Sequence, residues 1–225
     1  QCAENISADY NCVVYTAAIH PDNPEFARCV ELGLPMLSRA ELLGQIMKNY
    51  NTAIAVSGTH GKTTTTSMFS SVLLAADTDP TISVGGILEA IGGNIRVGKS
   101  ETFITEACEY TNSFLSFYPT MSIILNIEED HMDFFKDLDD IMNSFRLFAK
   151  KLPKDGVLII NKEIKDYEKV TEGLECKVIT YGLDSTCTYH AENIHFNEQG
   201  YGEFDVMHHS VNLGHIVLSV PGQHN

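Results

Sequence analysis

Short apolar runs and stretches of helical period alternate along most of the chain. Cys12-Val13-Val14-Tyr15-Thr16 reads as a buried strand, and Asp22-Asn23-Pro24 supplies a turn and cap for a helix from Glu25 to Leu32 that Gly33 stops. Leu34-Pro35-Met36-Leu37 gives a second short strand, after which Ser38 caps a helix with Ala40, Leu42, Leu43, Ile46 and Met47 at helical spacing. Residues 1 to about 50 thus predict β-α-β-α, the tail of an α/β unit with too few strands to close a sheet alone. The missing partners are expected upstream.

A second block opens with Ala53-Ile54-Ala55-Val56, a continuous apolar strand of the kind buried on both faces of a parallel sheet, followed by a Gly-containing turn and a helix from about Lys62 to Ala75. Strands follow at Thr81 to Val84, Thr102 to Thr105, Ser122 to Leu125, Val157 to Ile160 and Lys177 to Tyr181, with an amphipathic helix from Asp139 to Lys150. This alternation predicts an α/β fold, a mostly parallel sheet with helices on both faces. From Thr188 the pattern changes to alternating, turn-punctuated segments (His190 to Phe196, Gly202 to Met207, Ile216 to Val220), which predict antiparallel strands added at one side.

Composition narrows the function. With 225 residues, 44% of them hydrophobic, the chain can build a real core. Its formal charge of −15 repels a phosphate backbone, so no nucleic-acid partner is expected. No apolar run approaches the ~20 residues of a membrane-spanning helix, so no membrane partner is expected either. The six cysteines form no CxxC pair and read as reduced, mostly buried thiols. The closing Pro221-Gly222-Gln223-His224-Asn225 looks like a loop entering something more, as expected of a fragment.

The chemistry is concentrated at strand ends. Ser57-Gly58-Thr59-His60-Gly61-Lys62-Thr63-Thr64 joins a strand to a helix, the setting of a phosphate loop. Its glycines let backbone N–H groups surround phosphate oxygens, Lys62 can reach the outer phosphates and the Thr63 hydroxyl can bind Mg²⁺. The general pattern wants glycine where Val56 stands, so the match is to a shorter form, Gly-x-x-Gly-Lys-Thr. The plainer alternative is a Gly-Thr turn capping a helix beside an exposed lysine. Two later strands run out into Glu106-Ala107-Cys108-Glu109 and Asn126-Ile127-Glu128-Glu129-Asp130-His131-Met132-Asp133. Ligands of open parallel sheets sit beyond such carboxyl ends. Glu106 suits Mg²⁺ directly, whereas His131 taken alone reads more readily as a hydrogen-bonding or capping residue than as a ligand, and residues 128 to 130 can be read as a solvated acidic turn. His190, His195, His208, His209 and His215 share no ligand spacing with these acids and read as surface or core residues.

These motifs, in this order and with Pro221-Gly222-Gln223-His224-Asn225 at the end, resemble the Mur ligase family. The resemblance covers essentially the whole chain and implies a cytoplasmic, ATP-dependent carboxylate-amine ligase of peptidoglycan precursor synthesis. The His in the phosphate loop and the Asn-Ile-Glu-x-Asp-His-Met-Asp string point within it to UDP-N-acetylmuramate and L-alanine as substrates, joined through an acyl phosphate. A sibling amino-acid-adding ligase, such as a murein-tripeptide ligase, is the alternative, and a P-loop NTPase switch a more distant one. The resemblance also implies the domain plan: residues 1–50 the end of a Rossmann-like, UDP-binding N-terminal domain, residues 51–225 the central ATP-binding domain, and the C-terminal domain outside the chain. Residue by residue, Gly58, Thr59, His60, Gly61, Lys62, Thr63 and Thr64 would cradle ATP and Asn225 would lie near the adenine. Lys62, Glu106 and His131 would be catalytic, with Thr63 and Glu106 on one Mg²⁺ and Glu106 with His131 on a second. Many members of that family carry more acid after the second Glu of Glu-Ala-Cys-Glu-Tyr-Thr, so the resemblance assigns no role to Tyr110 and Thr111.

Overall fold

The computed structural model describes residues 1–222. Its amino-terminal part contains β1 (Val13–Tyr15), α1 (Pro24–Glu31), β2 (Met36–Ser38) and α2 (Arg39–Met47), with β1 and β2 paired in parallel. The helix starts follow the sequence logic. The Asn23 side chain accepts from the N–H groups of Glu25 and Phe26, and Ser38 and Glu41 form a reciprocal capping box, satisfying amides that have no partner inside a helix. Gly33, at φ +64°, ends the first helical segment in a conformation that side chains resist.

The remainder builds one sheet of ten strands: β3 (Thr52–Ser57), β4 (Thr81–Leu88), β5 (Gly93–Arg96), β6 (Thr102–Glu106), β7 (Met121–Ile124), β8 (Val157–Asn161), β9 (Lys177–Gly182), β10 (Tyr189–Phe196), β11 (Tyr201–His208) and β12 (Val211–Pro221). The order is β12-β11-β10-β9-β8-β7-β3-β6-β4-β5. From β4 through β10 every pairing is parallel, while β11 and β12 extend one edge antiparallel. The opposite edge carries a second antiparallel addition, because β5 folds back on β4.

Residue alternation in the central strands fills two cores. Ala53, Ala55, Phe103, Ile124, Leu158 and Ile160 face one side, packed under α4 (Leu138–Ala149) and α5 (Glu168–Thr171). Ile54, Val56, Ile104 and Ile123 face the other, under Phe69, Leu73 and Leu74 of α3 (Lys62–Ala75). In the first core Phe114 stacks on Phe148 at 4.5 Å and meets Phe145 edge-on, each buried ring contributing about 1.5–3 kcal/mol. Helix α2 joins this core through fully buried Met47. Gly44 makes the approach possible, since a β-carbon there would lie 2.0 Å from the Ser116 carbonyl oxygen.

No helix among the described residues is long and apolar enough to cross a membrane. All six cysteines are unpaired, but only Cys29 and Cys187 are buried, whereas Cys2, Cys12 and Cys108 are exposed. The expectation of mostly buried thiols is thereby corrected. Cys2 and Cys12 lie in the amino-terminal segment before β1, and Cys108 lies just beyond β6, where the chain leaves the sheet.

Candidate functional site

The loop between β3 and α3 is held by the residues that follow β7. The Asn126 side chain accepts from the His60 N–H at 2.7 Å and donates to the His60 carbonyl at 3.1 Å. The Asn126 main-chain carbonyl accepts from the Thr59 N–H at 3.1 Å, and the Glu128 N–H donates to Thr59 Oγ1 at 2.9 Å. Gly58, at φ +142°, lies so close to Leu125 that a β-carbon would come within 2.9 Å of that side chain. Gly61, at φ +83°, begins α3 with no side-chain cap, leaving the helix's positive end open to an anion.

Lys62 folds back along this loop. Its ammonium donates to the carbonyls of Gly58 and Thr59 at 2.6 and 3.1 Å and to the two Glu109 oxygens at 3.1 and 2.9 Å. Glu109 is only 2% exposed, and the Lys62 ammonium is the cation paired with it there. His131 Nε2 lies 3.8 Å from Glu109 and 3.9 Å from Asp130, and ligand atoms of these three residues all fall within 4.8 Å of one another. His131 itself sits at φ +52°, in a turn where its carbonyl accepts from the N–H groups of Phe134 and Phe135. Tyr110 braces the turn, its ring 4.5 Å from that of His131 and its hydroxyl donating to Asp133 at 2.9 Å.

One residue along, Thr63 Oγ1 donates to Glu106 Oε2 at 3.0 Å, and Glu106 Oε1 accepts from the Gly85 N–H. Two hard oxygens at the mouth of the strand-to-helix loop are of the kind Mg²⁺ prefers, a few protein oxygens completed by phosphate and water. On the loop's other flank, a cleft of about 750 Å³ runs from His60, Gly61 and Thr65 to apolar side chains of β10 to β12, among them Ile194, Phe196 and Leu218. Burial, with the Glu163 charge adding, pushes the Tyr181 hydroxyl in its wall well above the usual phenol range.

The structure therefore gathers Gly58, Thr59, His60, Gly61, Lys62 and Thr63 around one strand-to-helix turn, with half-buried Thr64 in the first turn of α3. Glu106 joins Thr63, whereas the acids clustered with His131 are Glu109 and Asp130. Asn225 lies outside the described residues. Two residues were not singled out from sequence: Glu109, which holds Lys62, and Asn126, which pins His60. Both belong to the motifs quoted, and the available signal was an acid three residues after Glu106 and a polar residue opening the Asn-Ile-Glu string. Of the later histidines, His190 is buried and exposed His215 contacts Asp205 at 2.8 Å.

Comparison with known proteins decides the family. Residues 56–225 match the Mur ligase middle domain, and residues 1–51 match the catalytic domain of the Mur ligase family. The chain belongs to the Mur ligase family. It is 60% identical to the UDP-N-acetylmuramate--L-alanine ligase of Lachnospira eligens and 59% identical to that of Agathobacter rectalis, in each case over 100% of this chain and 49% of the relative. The chain thus spans about half the length of the curated relatives it matches. Among solved structures it resembles the UDP-N-acetylmuramate:L-alanyl-gamma-D-glutamyl-meso-diaminopimelate ligase of Neisseria meningitides, with TM-score 0.87 and 25% identity over 99% of this chain and 72% of that one. The UDP-N-acetylmuramate-alanine ligase of Thermotoga maritima overlays with TM-score 0.81 and 27% identity over 99% of this chain and 49% of that one. Mur ligases are ATP-dependent ligases.

Proposed function

We propose that this Mur ligase chain is the nucleotide-binding part of an enzyme that joins L-alanine to the lactyl carboxylate of UDP-N-acetylmuramate at the expense of ATP. The observation that carries the reading is the 60% identity, across the whole chain, to a ligase of that name. The greater backbone overlap with the tripeptide-adding relative measures shared fold at 25% identity and does not favour that substrate. In this reading residues 1–50 complete the UDP-binding domain, residues 51–225 form the ATP-binding domain, and the enzyme acts in the cytoplasm on peptidoglycan precursors.

A carboxylate is a poor electrophile until phosphate becomes its leaving group. The lactyl carboxylate takes the γ-phosphoryl group of ATP, releasing ADP. The alanine amine then attacks the acyl carbon, and phosphate leaves as the amide forms. Positioning and charge neutralisation are what the protein must supply. The loop from Gly58 to Thr64 holds the phosphates with backbone N–H groups, pinned in shape by Asn126. Lys62 exchanges Glu109 for the phosphates and offsets the charge developing there. Thr63 and Glu106 would hold one Mg²⁺, and His131, with Glu106 or with its neighbours Glu109 and Asp130, a second; bound there, Mg²⁺ neutralises phosphate charge. The apolar cleft beside Gly61 suits the flat nucleoside end, near which Asn225 would lie.

The test is Lys62→Ala in the intact protein. Turnover should fall by at least about 10²–10³-fold with native circular dichroism retained. Near-normal turnover in the folded variant would remove Lys62 from the phosphates.

A further inference from the structure

The Gly85-Gly86 pair lies where β4 leaves its antiparallel ladder: Ser83 pairs with Ile95, and pairing resumes only at Leu88 with Gly93. In this unpaired stretch the Gly85 N–H points at Glu106 Oε1, 2.5 Å away, while Oε2 receives the Thr63 hydroxyl. A β-carbon at position 85 would lie 2.8 Å from Oε2 and 3.1 Å from Oε1, and one at position 86 would lie 3.2 Å from Thr63 Cγ2. The two glycines therefore roof the Thr63–Glu106 oxygen pair.

We propose that Gly85 is a positioning residue for the nucleotide's divalent cation: its N–H fixes one Glu106 oxygen so that the other faces Thr63, and only glycine leaves the carboxylate room to stand there. The inference rests on the reading of Thr63 and Glu106 as cation-binding oxygens. Gly85 is not among the glycines at positive φ, so alanine brings no backbone strain. The nearest atoms to its β-carbon are the far end of the flexible Glu106 side chain. Folding tolerates the change, because the carboxylate swings aside, and the cation loses its ligand. Outer partners of this kind typically change metal affinity about 10–100-fold.

The experiment measures ADP binding by calorimetry across a Mg²⁺ titration, with thermal unfolding of the ligand-free protein, for the intact wild type, Gly85→Ala and Gly93→Ala. Gly93 lies in the same hairpin, but a β-carbon there meets nothing within 4 Å. Gly85→Ala should raise the half-saturating Mg²⁺ concentration about 10–100-fold, recover ADP binding at high Mg²⁺ and keep the wild-type unfolding midpoint. Gly93→Ala should match wild type. A wild-type Mg²⁺ curve for Gly85→Ala overturns the proposal, as does a collapse of its unfolding midpoint, which would make the glycine structural. Wild-type ADP binding that ignores Mg²⁺ would instead overturn the underlying reading of Thr63 and Glu106, and this inference with it.

Discussion

The Lys62 ammonium and the Glu109 carboxylate form a closed pair at the base of the loop between β3 and α3, 2.9 Å apart, with side-chain exposures of 16% and 2%. Removing either member leaves the other charged and desolvated, which in buried pairs costs about 3–5 kcal/mol, whereas removing both leaves no orphan. A double-mutant cycle on Lys62→Met and Glu109→Gln, followed by urea denaturation, should show the double variant to be more stable than the sum of the single losses allows. Additive losses would mean that the pair contributes nothing beyond its separate members.

Gly44 sets a second expectation, because two effects oppose each other there. In an open helix Gly→Ala gains roughly 1 kcal/mol. Here the new β-carbon would lie 2.0 Å from Ser116 O and 3.0 Å from its carbonyl carbon, backbone atoms that cannot swing aside. Overpacking of this kind costs about 1–3 kcal/mol, so Gly44→Ala should lower the denaturation midpoint. An unchanged or raised midpoint would show that α2 does not dock as described.

Asp79 supplies a pH dependence at the β4–β5 edge. Its carboxylate takes the Arg96 guanidinium and the Lys99 N–H, and these hold it below the usual carboxylate range, the guanidinium hydrogen bond first. A depressed folded value means that the contribution is present above the ordinary value of about 3.9 and is lost as pH falls through the folded value. Asp79→Asn, which keeps a residue tolerant of the φ of +50° found here, should speed amide exchange in β5 at neutral pH. The difference from wild type should vanish in strong acid. A difference that persists there would show that charge is not what fastens this edge.

Much of this architecture was legible because local and tertiary preferences agree. The helix from Lys62 to Ala75 and the apolar strands around Ile54, Ile104 and Ile123 lie where periodicity places them. β5 was not legible, since Gly92-Gly93-Asn94 reads as turn and the strand exists only by folding back on β4. β12 is longer than its apolar run Ile216 to Val220 suggests, because it starts at Val211 and pairs with β11 through Asn212 and Gly214. In the site, Lys62 and Glu106 could be found from motif chemistry alone. The link from Glu109 to Lys62 could not, because it joins side chains 47 residues apart that only the folded sheet brings together.

The proposed reaction consumes ATP only to activate one carboxylate for one amine. Its most direct test is ADP release by the intact protein, with UDP-N-acetylmuramate and amino acids supplied singly and together. Sustained release should require both UDP-N-acetylmuramate and an amino acid, with L-alanine preferred over glycine, D-glutamate and diaminopimelate. Robust release with no UDP-sugar present, or release driven by a tripeptide in place of L-alanine, would contradict it.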